Sequence, residues 1–251
     1  GKTGMFDLAH NTFYPAQGTT EFVVGNSVGA KVVKPIFTSR VVEAKLSHNL
    51  PSAYQEVEWI GSSGTQYIDT GLSAPNGFRA AGKIEFTVAA PSSGINIIGT
   101  STFANGGYSN RNFVISDTST NGWCSGFGGT GYQYYGVSSA VGKIETFDIS
   151  NVHNEEKCVI NDKNYAISIT GSKGTFYAGN LTIFAMKTSS EIRNYGSYKV
   201  YYMRVYIGGS LRGNYVPCYR KSDNVIGMYD LVTNTFLVNQ GSGTFTKGSN
   251  V

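Results

Sequence analysis

Short apolar runs, separated by turn residues, recur along residues 50–251 of the sequence. These strand-like runs are 57–60, 66–70, 83–89, 96–99, 112–115, 145–149, 157–160, 165–169, 175–177, 181–186 and 199–207. Dipeptides such as Asn76-Gly77, Gly106-Gly107 and Gly208-Gly209 stand between them and favour tight turns. No stretch of about 11 residues combines a helical period with caps. The sequence therefore predicts an all-β fold, a two-sheet antiparallel jelly-roll sandwich.

Composition agrees with a core-forming β domain and excludes two classes of partner. The chain has 32 glycines among 251 residues and only 14% charged side chains, against about 25% in a typical globular protein. Its net charge of +4 is dispersed, whereas nucleic-acid binding needs a clustered basic face. No run approaches about 18 apolar residues. We therefore expect neither a nucleic-acid partner nor membrane insertion.

The cysteines and histidines give no metal signature. Cys124, Cys158 and Cys218 form no CxxC pair, and the three histidines lie far apart, so no zinc site is predicted. An odd number of cysteines favours reduced, buried thiols, although one disulfide bridge stays an alternative.

A long internal repeat links the two ends of the chain. Segments 4–25 and 227–248 are identical at 11 of 22 positions, without a gap. The pattern predicts a strand, a turn and a returning strand, and hence an N-terminal β hairpin. Residues 1–25 are either a partial copy of the closing strands of a preceding module, cut within a tandem array, or an added hairpin. We favour the preceding module because a lone hairpin is marginal in water.

The rest of the chain divides at a change in composition near residue 50. Residues 26–49 contain short strand-like stretches broken by Pro35 and are interpreted as a connector or docking arm. Residues 50–251 form the main domain.

Two motifs of the main domain resemble a known family. The opening segments 50–60 and 62–71 read LPSAYQEVEWI and SSGTQYIDTG, and the closing segments 215–220 and 227–230 read YVPCYR and GMYD. They resemble the two ends of a concanavalin A-like (laminin-G-like) lectin/glucanase module, over roughly residues 50–249. Such modules recur in tail, fibre and other virion proteins of phages of gut bacteria, and in surface proteins of those bacteria. The resemblance implies a concanavalin A-like jelly roll, with residues 1–25 copied from a preceding lectin-like module.

The resemblance does not by itself imply catalysis, because this sandwich carries lectins, glucanases and spacers. A retaining glucanase needs two carboxylates about 5–5.5 Å apart, which family enzymes take from a Glu-x-Asp-x-Glu strand. Here Glu56 and Glu58 lack a third acid, and Glu145 and Asp148 have the wrong spacing for one strand face. We expect both pairs to face solvent, and we do not expect an enzyme.

The remaining motif residues favour structural roles. Tyr67 with Asp69, and Tyr229 with Asp230, are expected to close the two ends of one sheet, with both acids bonding backbone rather than metal. Arg220 is expected to pair with a nearby acid. Many laminin-G-like relatives hold calcium, but no dense acidic loop occurs here, so no cofactor is predicted and calcium stays an alternative.

Aromatic residues among glycine, asparagine and serine fill the stretch 101–137. Sugars stack on aromatic faces while amides and hydroxyls bond their OH groups, and such surfaces also contact proteins. The predicted ligand-binding residues are Trp123, Tyr132, Tyr134, Tyr135, Tyr108, Asn110 and Arg111. The alternative is that most of these rings lie in the core and the glycines only permit hairpins.

Together these observations predict a non-enzymatic lectin-like module of a phage virion protein, on a fibre or a head or tail appendage. Its expected partners are a bacterial surface glycan and, through residues 1–49, other virion proteins, and it is expected to be a homo-oligomer at the virion surface. One alternative is an architectural module that decorates or bridges a virion without binding glycans. Another is an adhesin module that is secreted or lies on a bacterial cell surface.

Overall fold

The computed structural model describes residues 4–7, 12–15, 48–91, 94–117 and 122–251, with the backbone alone for 4–7, 12–15 and 115–117. All regular structure within these residues is β-strand, which confirms the predicted all-β class. No helix in this part of the chain could cross a membrane by its length and apolarity.

The strands form three sheets. The two-stranded sheet contains β1 (Gly4–Asp7) and β2 (Thr12–Pro15). The eight-stranded sheet contains β5 (Ile68–Ser73), β7 (Ile95–Ala104), β8 (Gly107–Asp117), β9 (Gly122–Gly126), β10 (Tyr132–Tyr134), β14 (Asn180–Ile183), β15 (Met186–Thr188) and β16 (Ile192–Arg193). The eleven-stranded sheet contains β3 (Tyr54–Glu56), β4 (Ile60–Gly61), β6 (Arg79–Phe86), β11 (Ile144–Ser150), β12 (Lys157–Ile160), β13 (Lys163–Asn164), β17 (Tyr198–Ile207), β18 (Ser210–Arg220), β19 (Ile226–Asp230), β20 (Thr235–Val238) and β21 (Thr246–Lys247).

Strand order places elements that are distant in sequence side by side. The eight-stranded sheet runs β10-β9-β8-β7-β14-β5, with β15 beside β7 and β16 beside β15. The eleven-stranded sheet runs β13-β12-β11-β6-β17-β18-β19-β20, with β3 beside β18 and with β4 between β17 and β21. Strand pairs are antiparallel, apart from β15, which runs parallel to β7. The jelly-roll connectivity stays a prediction.

The two large sheets pack face to face as a β-sandwich. Buried residues alternate along β6, where Ala80, Ile84 and Phe86 point inward, as expected for a sheet with one solvated face. One core cluster contains side chains from both sheets. At its centre the ring of Phe184 lies 4.6 Å from that of Tyr198. Burial of each such large side chain stabilises the fold by about 1.5–3 kcal/mol.

The repeat forms the same hairpin at both ends of the chain. β1 pairs with β2 from Gly4↔Pro15 to Asp7↔Thr12, and β19 pairs with β20 from Gly227↔Val238 to Asp230↔Thr235. Each residue of the N-terminal hairpin is therefore paired in the same way as its counterpart in the repeat. The predicted hairpin is therefore present, with the register of its C-terminal counterpart.

The chain divides into two compact units, Gly1–Ala44 and Lys45–Val251. The predicted docking arm 1–49 falls partly on the described hairpin. Its connector portion, 26–49, lies outside the described residues except for His48 and Asn49.

Two predictions about acidic residues have different outcomes. Asp69 lies in β5 and Asp230 in β19, which belong to different sheets, so the prediction that they close one sheet is wrong. The prediction that they bond backbone is confirmed. Asp69 accepts from the Gly71 N–H at 3.0 Å, and Asp230 accepts from that of Asn214 at 2.9 Å.

Arg220 and the cysteines behave as expected. Arg220 pairs with Asp223 at 2.6 Å. Cys124, Cys158 and Cys218 are all buried, and none of them forms a disulfide.

Candidate functional site

The outer face of the eight-stranded sheet carries a second, small apolar cluster of Phe113, Cys124 and Met186, against which Tyr108 and Tyr132 pack. Successive strand residues point to opposite faces. Phe113 and Cys124 therefore face away from their neighbours Val114 and Trp123, which lie in the main core. The cluster thus forms a base on the solvent side of the sheet.

An aromatic–arginine patch covers this base. We define the patch as Phe103, Tyr108, Arg111, Tyr132, Tyr134 and Arg193. At one end the Arg193 guanidinium carbon lies 3.9 Å from the centroid of the Phe103 ring. The rings of Phe103 and Tyr108 are 4.9 Å apart. Arg193 Nε donates to the Tyr108 hydroxyl at 3.2 Å, and that hydroxyl donates to Asn194 Oδ1 at 2.6 Å.

Arg111 links this end to the second pair of rings. Its Nε donates to the Tyr108 carbonyl at 3.2 Å, and its guanidinium carbon lies 4.9 Å from the centroid of the Tyr132 ring. The rings of Tyr132 and Tyr134 are 5.4 Å apart. Gly126 makes this arrangement possible, because a Cβ there would lie 2.6 Å from Arg111 Cβ. The missing side chain therefore lets Arg111 lie across the sheet.

The patch carries an excess positive charge. Arg193 forms an ion pair with Glu191 at 2.6 Å. Among the residues that the structure describes, Arg111 has no carboxylate partner. A guanidinium presents several donors in a fixed plane and pairs well with a carboxylate. The patch is therefore suited to a ligand with an apolar ring face and hydroxyl or anionic groups.

Four of the seven predicted ligand-binding residues meet in this patch, namely Tyr108, Arg111, Tyr132 and Tyr134. Asn110 lies beside them, but its side chain is engaged within the protein. Its Nδ2 donates to Thr102 Oγ1 at 3.3 Å, and its Oδ1 accepts from Thr175 Oγ1 at 3.4 Å. Asn110 therefore supports the strand that carries Arg111.

The other two predicted residues lie in the core. Trp123 is completely buried and Tyr135 is 8% exposed. The Trp123 ring packs at a tilt against that of Phe147, with ring centroids 5.5 Å apart. Its Nε1 donates to Glu145 Oε2 at 3.2 Å. Burial removes Trp123 and Tyr135 from the candidate contact surface and favours the alternative, core packing, for these two rings.

Two patch residues, Phe103 and Arg193, are not among the predicted ligand-binding residues. Phe103 belongs to the aromatic stretch 101–137, whereas Arg193, whose guanidinium lies over the Phe103 ring, is 90 residues away in the chain. No local pattern marks it, because β16, which ends with it, has only two residues. The contact arises from β15, which lies between β16 and β7.

The acids considered for catalysis have structural partners. The prediction that both pairs face solvent is wrong for Glu56 and Glu145, which are 8% and 4% exposed. Glu56 accepts from the His48 N–H at 2.8 Å, and Glu145 accepts from Trp123 Nε1 and from the Ala140 N–H. Burial raises the pKa of Glu145. Asp148, on the opposite face of β11, binds Arg79 and Lys157. Although burial acts to raise it, these hydrogen bonds hold the pKa of Asp148 below its ordinary value.

Clefts also occur outside the patch. One, of about 560 Å³, is lined by His153, Lys173 and Phe176 among others. His153 bonds the Phe127 carbonyl at 3.0 Å, so its ring holds a neighbouring loop. Another, of about 690 Å³, lies between the turn after β18 and the segment 238–245. In the described part of the chain, no group of three or more His, Cys, Asp or Glu side chains could hold a metal ion.

Comparisons with protein-family models, with curated proteins and with solved structures found no match to this chain.

Proposed function

We propose that this chain is a non-enzymatic, lectin-like module that binds glycans through the aromatic–arginine patch. The observation that supports the proposal is the continuous row of four rings and two guanidinium groups on one face of the eight-stranded sheet. The C–H face of a pyranose packs on such rings. Arg111 then donates hydrogen bonds to a hydroxyl or carboxylate of the sugar.

The shape of the patch favours weak contact with a long ligand. Tyr132 and Tyr134 form one ring pair, Phe103 and Tyr108 form another, and Arg111 lies between the two. A polysaccharide chain can contact both pairs, whereas an open surface encloses a single sugar poorly. Useful attachment then requires several copies, because avidity multiplies weak contacts.

A place at a virion surface is part of this proposal and is supported by the sequence resemblance alone. Modules with similar opening and closing motifs occur in virion proteins of gut phages. The glycan would then belong to the surface of the bacterial host, and binding would mediate attachment. A secreted or cell-surface adhesin module would use the same patch.

The proposal predicts that Arg111→Ala weakens glycan binding about tenfold or more, since a hydrogen bond to a charged group contributes about 1.5–3 kcal/mol. Tyr132→Ala should also weaken binding, because it removes a ring face on which the sugar packs. The measurement is titration of the multimerised protein with bacterial surface polysaccharides. Tyr202→Ala is the matched control, because Tyr202 is a half-buried ring that lies 5.6 Å from the Arg204 guanidinium on the other sheet. Equal losses in all three variants, or unchanged binding by Arg111→Ala and Tyr132→Ala, would contradict the proposal.

The outer face of the eleven-stranded sheet favours the architectural module as a second candidate function. Lys83 lies 5.2 Å from the centroid of the Tyr201 ring, and Arg79 lies 4.7 Å from that of Tyr206. Tyrosine and arginine are enriched at protein interfaces. If this face docks on another virion protein, Tyr206→Ala lowers incorporation into particles and leaves polysaccharide binding unchanged.

A further inference from the structure

The hairpin of β1 and β2 has an open edge where its C-terminal counterpart has a neighbour. In the sandwich, β19 pairs with β20 on one side and with β18 on the other, from Tyr215↔Asp230 to Tyr219↔Ile226. In the two-stranded sheet, β2 is the only partner of β1 among the described strands. Such an edge exposes unpaired N–H and C=O groups that can pair with a further strand.

The repeat keeps the residues that are buried in the sandwich. Within 227–248 five positions are buried, namely Gly227, Met228, Tyr229, Asp230 and Phe245. Four of them are identical in 4–25, and the fifth replaces tyrosine by phenylalanine at Phe6. Of the eleven exposed positions in 227–248, only four are identical. Segment 4–25 therefore retains the residue types that are buried where segment 227–248 closes the sandwich.

The contacts of these residues show what they pack against. The Asp230 carboxylate binds the backbone of β18 through the Asn214 N–H at 2.9 Å. Phe245 is 3% exposed, and its ring lies 5.1 Å from that of Phe184. A Cβ on Gly241 would lie 2.1 Å from the Thr65 carbonyl oxygen. The counterparts Gly18 and Phe22 lie outside the described residues, but the sequence keeps the residue type at both positions.

We propose that segment 4–25 is the closing element of a second β-sandwich of the same kind. Its partner is a sandwich with a strand like β18 whose edge is not covered by a closing hairpin of its own. β1 adds to that strand by β-augmentation, as β19 adds to β18 here. The β18 of this chain cannot serve, because β19 already occupies that edge. The partner sandwich lies either in the same polypeptide or on a separate chain.

The test is an exchange of the two copies within the full chain. We replace residues 227–248 by the sequence of 4–25 and measure thermal unfolding. We expect a single cooperative transition, because the buried residue types are retained. The same exchanged chain with Met228→Asp and Phe245→Asp should lose that transition, which shows that folding uses these residues.

A second, smaller exchange keeps the inference testable if the first exchanged chain fails to fold for an unrelated reason. It replaces only 227–238 by 4–15 and keeps the native residues 239–251. If neither exchanged chain unfolds cooperatively, the inference is overturned, because the N-terminal copy then cannot close a sandwich.

Co-expression distinguishes the two sources of the partner. The full chain is co-expressed with a tagged variant that lacks residues 227–251. Complexes are captured through the tag, and their mass is measured. A one-to-one complex that is lost with Met5→Asp supports the inference with a separate chain as partner. If the exchanged chain folds but no complex forms, the inference holds with the partner in the same polypeptide, where tethering replaces affinity between chains.

Discussion

At the scale of single residues, the buried pair of Trp123 and Glu145 shows that residues considered for binding or catalysis have structural roles. Trp123 lies in β9, where all five residues are buried, and Glu145 lies in β11, where buried and part-exposed residues alternate. The indole N–H needs an acceptor once it is buried, and the carboxylate of Glu145 supplies it at 3.2 Å. A tryptophan in a glycine-rich stretch is typical of a sugar site, but here its hydrogen bond belongs to the core.

We predict that Glu145 makes the protein less stable as the pH rises. Burial raises the pKa of Glu145 in the folded state above its ordinary value of 4.5. Above pH 4.5 the folded state therefore binds more protons than the unfolded state does, so the stability due to this carboxyl is present below that pH and is lost as the pH rises. Glu145→Gln removes this dependence.

The measurement compares unfolding free energies of wild type and Glu145→Gln between pH 4 and pH 7. The difference, wild type minus variant, should fall as the pH rises. The pKa values of Asp69 and Asp148 are lowered, so their contributions to the pH dependence of stability have the opposite sign. These contributions are the same in wild type and variant and cancel in the difference. A difference that stays constant or rises contradicts the prediction.

At the scale of elements, a glycine-rich loop after β9 positions the ring of Tyr132. The loop, residues 127–131, is bound to the segment 170–175. Gly129 N–H donates to the Thr175 carbonyl at 3.0 Å, and Tyr132 exchanges backbone hydrogen bonds with Thr170 at 2.9 and 2.8 Å. The candidate site thus depends on backbone pairing between segments that are about 40 residues apart in sequence. The entropic cost of closing such a loop grows only slowly with its length.

We predict that Gly128→Ala destabilises the protein much more than Gly136→Ala does. Both glycines have positive φ, +72° and +67°, so alanine is strained at either position by about 1–2 kcal/mol. At Gly128 the new Cβ would also lie 2.2 Å from the Gly174 carbonyl oxygen, whereas at Gly136 no atom lies within 4 Å. The clash should bring the total for Gly128→Ala to about 3 kcal/mol or more.

Urea unfolding of the two variants measures this difference. Gly128→Ala should also weaken glycan binding, because the loop carries Tyr132 into the patch. Equal stability of the two variants would show that the loop does not depend on its close approach to segment 170–175.

At the scale of the whole molecule, packing on both sheets buries all three thiols. The three cysteines lie on strands of both sheets and are at most 4% exposed. Burial raises the pKa of Cys158 to about 12 and that of Cys218 to about 12. Since the thiolate is the reactive form, both groups should be inert in the folded state.

We predict that the native protein takes up no iodoacetamide at pH 8 on the timescale in which the unfolded chain takes up three equivalents. Mass spectrometry after timed quenching gives the number of labels. Uptake of one equivalent by the native protein at the unfolded rate would show that one cysteine is open to solvent.

The strand class, the repeat and the hairpin could be predicted from the sequence. Alternation of side chains and turn dipeptides are local properties, so they predict two-sided strands without knowledge of strand order. The identity between 4–25 and 227–248 likewise predicts two similar hairpins, because residue types that specify one register specify it again.

Which rings of the stretch 101–137 face solvent could not be predicted, because it depends on how the strands pair. Register shifts occur in β7 between Asn96 and Ile98 and between Thr100 and Thr102. Each shift turns the following side chains to the other face of the sheet. The face on which Phe103 lies, after the second shift, therefore follows from pairing between strands. The same pairing brings Arg193 onto Phe103, a contact that no window of the sequence contains.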